Sequence, residues 1–147
     1  MNIKTMNNLQ ILTLLIKQFE GCKLKAYTDC VGVLTIGWGQ THGVKEGMLW
    51  TQEQADEDLI KEATICIDRA LKASPILVHE SANRQAAIAD FIYNCGIGNY
   101  TSSTLKKRVD AKDWPNAVIE IKKWNKGGGK VLKGLIKRRA KEAELLV

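Results

Sequence analysis

Residues 20–39 read EGCKLKAYTDCVGVLTIGWG and differ in composition from the rest of the chain. From about residue 24 the segment is rich in Tyr, Thr, Val, Ile and Gly, and Gly32, Gly37 and Gly39 punctuate it. Short β-branched and aromatic runs bounded by glycine are typical of short strands joined by tight turns. Because helix signals resume soon afterwards, we expect a sheet of at most about three strands.

The segment before this stretch predicts an amphipathic helix with Asn7 or Asn8 as its cap. Its apolar residues fall at helical spacing at Leu9, Leu12, Leu15, Ile16 and Phe19. The apolar run at 11–16 ends at Lys17, well short of the roughly 20 residues that span a bilayer. No small-residue cleavage site follows, so we expect neither a signal peptide nor stable membrane insertion.

A long helix is predicted from Gln52 to about Ala73. Thr51 and Gln54 form a capping-box pattern at its start, and Ser74-Pro75 stops it. Its apolar face consists of Ala55, Leu59, Ala63, Cys66, Ile67 and Ala70. The predicted helix is about 30 Å long at about 1.5 Å per residue.

The remainder of the chain predicts shorter helices. Residues 83–93 are apolar almost all round, which is typical of a buried central helix. Further helices are predicted to start at Ser102 or Ser103, at Asp113-Trp114-Pro115, and, after the glycine break at 127–129, near Lys133.

Together these segments predict an α+β fold. We expect one domain over 1–147, with a small N-terminal lobe at about 15–51 that carries a short antiparallel sheet. A connecting helix at about 52–73 would lead to a larger all-helical lobe at about 76–147, with the first helix packing on that lobe.

Net charge and cysteine content give only general information about binding partners and metal sites. A net charge of +6 and a pI near 9.2 predict attraction to anionic polymers, including nucleic acid, teichoic acid, anionic lipid and peptidoglycan. The four cysteines, Cys22, Cys30, Cys66 and Cys95, form no CxxC pair and have no His at metal-ligand spacing. We expect mostly free, partly buried thiols, no metal site and no cofactor.

Two carboxylates in the first segment could carry chemistry. Glu20 follows Phe19 at the end of an apolar helix face, where burial would keep it protonated, whereas Asp29 lies in a polar turn and should stay ionised. Glycoside hydrolysis uses such a pair, one group as acid and the other on water or the transition state. Taken alone, however, the residues are better explained as a helix-terminal Glu and an Asx-turn Asp.

The pattern around these carboxylates favours the catalytic interpretation. From Glu20 to Gly39, Glu-Gly-x-x-Leu-x-Ala-Tyr-x-Asp-x-x-Gly-x-x-Thr-Ile-Gly-x-Gly resembles the signature of the phage-type lysozymes, the endolysins of glycoside hydrolase family 24. Residues 89–98 (ADFIYNCGIG) and the following 102–105 (SSTL) look like the family's Ala-x-x-Ser-Phe-x-x-Asn-x-Gly run ending in Ser-Thr-Leu. The tail from Trp124 to Glu142 is similar to the family's closing Gly-Leu-x-x-Arg-Arg-x-x-Glu segment.

The resemblance implies a lysozyme-like fold and a muramidase that cleaves peptidoglycan glycan strands. It implies Glu20 as general acid, Asp29 as the carboxylate that positions or activates water, and Thr35 as a hydroxyl that helps to hold that water. Asn94 and Trp124 are candidate sugar contacts, although Trp124 is equally consistent with a core position. A held water would make the enzyme inverting at the anomeric carbon.

One position departs from the family. His often follows the Gly-x-Gly, but this chain has Gln40 there and His42 two positions on. A neutral amide would replace a structural His that pairs with a carboxylate, so we expect lower stability of the lobe more than lower activity.

Two alternatives remain at this stage. A lytic transglycosylase cleaves the same bond with one essential acid and no water, which Asp29 and Thr35 at family spacing disfavour. A non-enzymatic binder of an anionic polymer, such as nucleic acid, could use the basic residues of the C-terminal third, although these also suit a solvated helix face with one Arg turned inward. They are Lys122, Lys123, Lys126, Lys130, Lys133, Lys137, Arg138, Arg139 and Lys141.

The resemblance also implies where the protein works. We expect a monomer, without a nucleic-acid partner, that accumulates in the cytoplasm of the host bacterium. It would reach peptidoglycan in the periplasm after another protein permeabilises the membrane.

Overall fold

The structure of the chain is a computed structural model that describes residues 5–147. The α-helices of this range are α1 Asn8–Glu20, α2 Gln52–Ala73, α3 Ala82–Cys95, α4 Ile97–Thr101, α5 Thr104–Asp110, α6 Trp114–Lys122 and α7 Lys133–Leu146. The strands are β1 Lys23–Thr28, β2 Leu34–Gly37, β3 Lys126–Gly127 and β4 Lys130–Val131, and a 3-10 turn spans Pro75–His79.

Strands β1 and β2 form an antiparallel hairpin, with Tyr27 opposite Thr35. A single bridge between Lys25 and Leu49 extends this small sheet at its edge. The α+β class with a short antiparallel sheet is therefore confirmed. The short hairpin β3–β4, which turns within the predicted glycine break, was not predicted.

Local capping signals fix the starts of the two helices that frame the hairpin. The side chains of Asn7 and Thr51 each accept a hydrogen bond from the backbone of the third helical residue, Gln10 and Gln54 respectively. The side-chain oxygen of each glutamine accepts a hydrogen bond from the backbone N–H of the cap residue, which completes two capping boxes. The bounds of α2 are those predicted from the sequence.

The core lies where α1, α2, α3 and α7 pack together. Leu12 and Ile16 of α1 and Ile88 and Phe91 of α3 are completely buried in it. Because α1 is anchored along its length by this core, its last residue, Glu20, is held in a fixed position at the start of the hairpin.

All four cysteines are free thiols, with Cys66 buried, Cys22 and Cys95 half-buried and Cys30 exposed, as predicted. Within residues 5–147, no helix has both the length and the apolar content needed to cross a membrane.

Candidate active site

Glu20 is positioned by an ion pair more than by apolar burial. It is the last residue of α1, and its side chain keeps 22% of its surface exposed. Its Oε2 lies 3.2 Å from Nη1 of Arg138 on α7. The Glu20 side chain is therefore partly buried, as expected at the end of the apolar face, but a buried guanidinium of the last helix that was not predicted reaches its carboxyl.

Gly39 makes room for this carboxyl. Its φ is +90°, and a Cβ added there would lie 2.7 Å from both Cδ and Oε2 of Glu20. The turn after β2 can approach the carboxyl this closely only because residue 39 has no side chain.

Gly39→Ala should therefore lower activity with little additional loss of stability. The group that the new Cβ meets is the flexible end of a side chain, so Glu20 can move aside, but its carboxyl then leaves its position. A misplacement of about 1 Å can cost roughly 100-fold in rate. We expect the rate of peptidoglycan cleavage to fall by about this factor.

The matched control for this prediction is Gly43→Ala. Gly43 also has a positive φ, of +68°, but a Cβ there meets nothing within 4 Å. Both variants place a side chain at a positive φ, so both should lower the melting temperature. Equal activities of the two variants would contradict a role of Gly39 in seating Glu20.

Asp29 organises the tight turn between β1 and β2. Its Oδ1 accepts hydrogen bonds from the backbone N–H of Val31 at 3.0 Å and of Val33 at 2.8 Å. Its own N–H donates to the carbonyl of Val33 at 2.9 Å. Because both side-chain bonds go to Oδ1, Oδ2 is left without a hydrogen-bond partner among the described residues.

Thr35, like Asp29, is hydrogen-bonded to Val33. It is only 4% exposed, and its Oγ1 donates to the carbonyl of Val33 at 2.9 Å. Since its proton is engaged there, the hydroxyl oxygen can only accept a further hydrogen bond. Val33 thus ties Asp29 and Thr35 together through its backbone.

Tyr27 lies within electrostatic reach of both carboxylates. Burial raises the pKa of its phenol, and the charges of Glu20 and then Asp29 raise it further. The structure therefore brings Glu20, Asp29 and Thr35 to one region, where α1 meets the hairpin.

Arg138 joins Glu20 to the core. Its guanidinium is almost fully buried and forms a bidentate pair with Asp90 of α3, from Nε to Oδ2 at 2.9 Å and from Nη2 to Oδ1 at 2.8 Å. Burial by itself raises the pKa of Asp90, but the Arg138 guanidinium outweighs that effect and holds it below its ordinary value. Asp90 is therefore a buried, ionised carboxylate.

A second buried pair stands beside the first on α7. Arg139 Nη2 donates to Glu142 Oε2 at 2.8 Å, and its Nη1 lies 2.8 Å from Sγ of Cys95. Burial raises the pKa of Glu142 well above its ordinary value, and Asp90 raises it further. Both arginines of the last helix thus face inward, where the sequence analysis considered only one.

Gln40 and Tyr93 hold the hairpin segment to the helices. Gln40 is 8% exposed, and its Nε2 donates to Asp58 Oδ1 at 3.0 Å, so the amide still meets a carboxylate. The Tyr93 hydroxyl donates to the carbonyl of Trp38 at 2.6 Å. The expected loss of lobe stability caused by Gln40 stays a prediction.

The two candidate sugar contacts are less closely tied to this region. Asn94 is half-buried on α3, whereas Trp124 packs edge-on against Phe91 at 5.4 Å between ring centroids. Trp124 belongs to the layer around the core, which favours the structural alternative. In the part of the chain that the structure describes, neither residue forms a hydrogen bond or ion pair with Glu20 or Asp29.

Sequence reasoning missed Asp90, although a signal was present. A lone carboxylate within the almost wholly apolar segment 83–93 requires a buried cation, and an Arg of the closing motif was available to supply it.

Between residues 5 and 147, no three His, Cys, Asp or Glu side chains converge in a way that could hold a metal ion.

Comparison with known proteins places this arrangement among lytic enzymes. A family model described as phage lysozyme matches residues 17–142. The endolysin of Acyrthosiphon pisum secondary endosymbiont phage 1 is 39% identical over 135 residues, which cover 89% of this chain and 91% of that protein. The endolysin of Bacillus phage PZA is 37% identical over 89% of this chain, but this chain spans only 51% of its length.

Solved structures agree with these matches. The endolysin from Escherichia coli O157:H7 phage FAHEc1 superposes with a TM-score of 0.81 at 32% identity, covering 97% of this chain and 94% of that chain. The muramidase domain of SpmX from Asticaccaulis excentricus gives a TM-score of 0.78 at 29% identity over 92% of this chain and 94% of that chain.

Proposed function

The chain belongs to the phage lysozyme family, and on that premise we propose that it cleaves the β-1,4 bond between N-acetylmuramic acid and N-acetylglucosamine. It is a peptidoglycan-hydrolysing endolysin, a glycoside hydrolase of the lysozyme type. We propose Glu20 as the general acid that protonates the glycosidic oxygen, with Asp29 and Thr35 acting on the attacking water.

The observation that carries this assignment is the packing of the Glu20 carboxyl against Gly39, four residues after Thr35 on the segment that leaves β2. Glu20 is therefore contacted by the segment that continues from the β1–β2 hairpin, and the same hairpin carries Asp29. One carboxyl can serve as acid while the other acts on water, as glycoside hydrolysis requires.

The hydrogen bonds around Val33 favour a held water over direct attack by Asp29. Oδ2 of Asp29 has no bond within the described range, and Oγ1 of Thr35 can only accept, because its proton is engaged by Val33. A water that donates one proton to each oxygen keeps a lone pair free for the anomeric carbon. Thr35 thus serves as an acceptor of a hydrogen bond from the water.

The test is the product of peptidoglycan digestion, followed by proton NMR from the first minutes. We expect reducing muramic acid ends, with the α anomer appearing first, because water attacks the face opposite the leaving group. Anhydro ends would show a lytic transglycosylase. Early β product, or a glycosyl adduct on Asp29 in mass spectra, would make Asp29 a nucleophile.

The remaining expectations follow from the family. We propose that the chain forms one lysozyme domain, acts as a monomer without a nucleic-acid partner, and accumulates in the host cytoplasm. It would meet peptidoglycan in the periplasm after the membrane has been permeabilised. The burial of Arg138 and Arg139 supports the absence of a nucleic-acid role, because both guanidiniums are withdrawn from the basic surface.

A further inference from the structure

Asp90 occupies an unusual place for a carboxylate. It has no exposed surface, and its neighbours along α3, Ala89 and Phe91, are also fully buried. This chain therefore carries a completely buried negative charge on its central helix.

That charge acts on the cation that touches the proposed acid. Arg138 presents its Nε–Nη2 edge to Asp90 and its Nη1 to Glu20, at 3.2 Å from Oε2. One guanidinium is thus shared by two carboxylates. The positive charge that Glu20 experiences is that of Arg138 reduced by Asp90 on the opposite edge.

We propose that Asp90 is a positioning residue that balances the charge of Arg138, the cation that touches the proposed acid. The inference rests on the proposed function, in which Glu20 is the general acid. A cation within hydrogen-bond distance of a carboxyl stabilises its ionised form, which cannot donate a proton. Asp90 keeps the contact that orients Glu20 and weakens this unwanted effect.

The other groups near Glu20 do not replace Asp90 in this role. The titratable and charged groups facing this region are Tyr27 of β1, Asp29 of the turn, Tyr93 of α3, and Arg139 and Glu142 of α7. Burial and neighbouring carboxylates raise the pKa of Tyr27 and Tyr93, so both phenols are neutral. Burial and the charge of Asp90 likewise raise the pKa of Glu142, which favours the neutral form of that carboxyl beside Arg139.

The experiment compares the pH dependence of kcat/KM on purified peptidoglycan for the intact protein and Asp90→Asn. Loss of the balancing charge should move the alkaline limb to lower pH by about 1 unit, since a nearby opposite charge shifts a carboxyl by roughly 1–3 units. Asp110→Asn is the matched control, because it removes the same charge from an exposed position paired with Lys106. It should leave the limb in place.

Two further variants make the test decisive. If Asp90→Asn does not fold, Asp90→Ser, which also removes the charge but is smaller, should show the same shift. In an Arg138→Met background, Asp90→Asn should no longer move the limb, because the charge that it balances is gone. A folded Asp90→Asn or Asp90→Ser protein with an unmoved limb would overturn the inference, whereas an active Glu20→Gln protein would overturn the proposed function itself.

Discussion

Replacing Glu20 with glutamine should remove nearly all lytic activity and leave the fold intact. The amide fills the same space at the end of α1 but has no proton to give to the glycosidic oxygen. General acid catalysis contributes typically about 10² to 10⁴ in rate. We expect a loss of that size in the initial rate at which outer-membrane-permeabilised Gram-negative cells are cleared.

Two controls separate lost chemistry from lost folding or binding. Glu144→Gln makes the same chemical change at an exposed residue of α7 that pairs with Lys141 at 3.3 Å, and it should clear cells at the original rate. Sedimentation with insoluble peptidoglycan should show that Glu20→Gln still binds. A folded Glu20→Gln protein that clears cells at nearly the original rate would refute the assignment.

The elements predicted best from the sequence are those whose bounds are set by residues next to them in the chain. The capping box of Thr51 and Gln54 and the stop at Ser74-Pro75 lie within the segment that they bound, so α2 was predicted with its observed limits. The start of α7 at Lys133 followed in the same way from the preceding glycines. The hairpin β3–β4 was not predicted because strands of two residues are too short to show an alternating apolar and polar pattern.

The candidate site residues were chosen from one short segment of sequence, whereas the charges around Glu20 were not predicted. The spacing of Glu20, Asp29 and Thr35 is a property of one short segment, whereas the setting of Glu20 depends on Arg138, more than a hundred positions away. A helical pattern predicts which face of α1 is apolar, but not which side chain of another helix reaches its end. The guanidinium beside Glu20 was therefore missed, and the catalytic role of Glu20 stays a prediction.

Arg138→Met should produce the largest loss of stability of any substitution considered. Methionine has a similar length but no charge, so Asp90 would remain fully buried without its bidentate partner. Removing one member of a buried ion pair costs about 3–5 kcal/mol, because the other charge is left uncompensated. At roughly 2–4 °C per kcal/mol for a chain of this size, the melting temperature should fall by about 10 °C.

The pH dependence of this loss identifies Asp90 as its cause. With Arg138 present, the folded-state pKa of Asp90 lies below its unfolded value of about 3.9, so its contribution is present above that pH and lost as the pH falls. With methionine at 138 the largest opposing effect is gone, and burial raises the folded-state pKa of Asp90 against the smaller effects of Glu142 and Arg139, so the variant loses stability as the pH rises above about 4. The difference in unfolding free energy should therefore be greatest near neutrality and shrink in acid.

Adding Asp90→Ser to Arg138→Met should recover part of the loss at neutral pH, whereas the exposed Arg108→Met should change stability little. A loss that does not vary with pH would show that Arg138 stabilises the fold by packing and not by its charge.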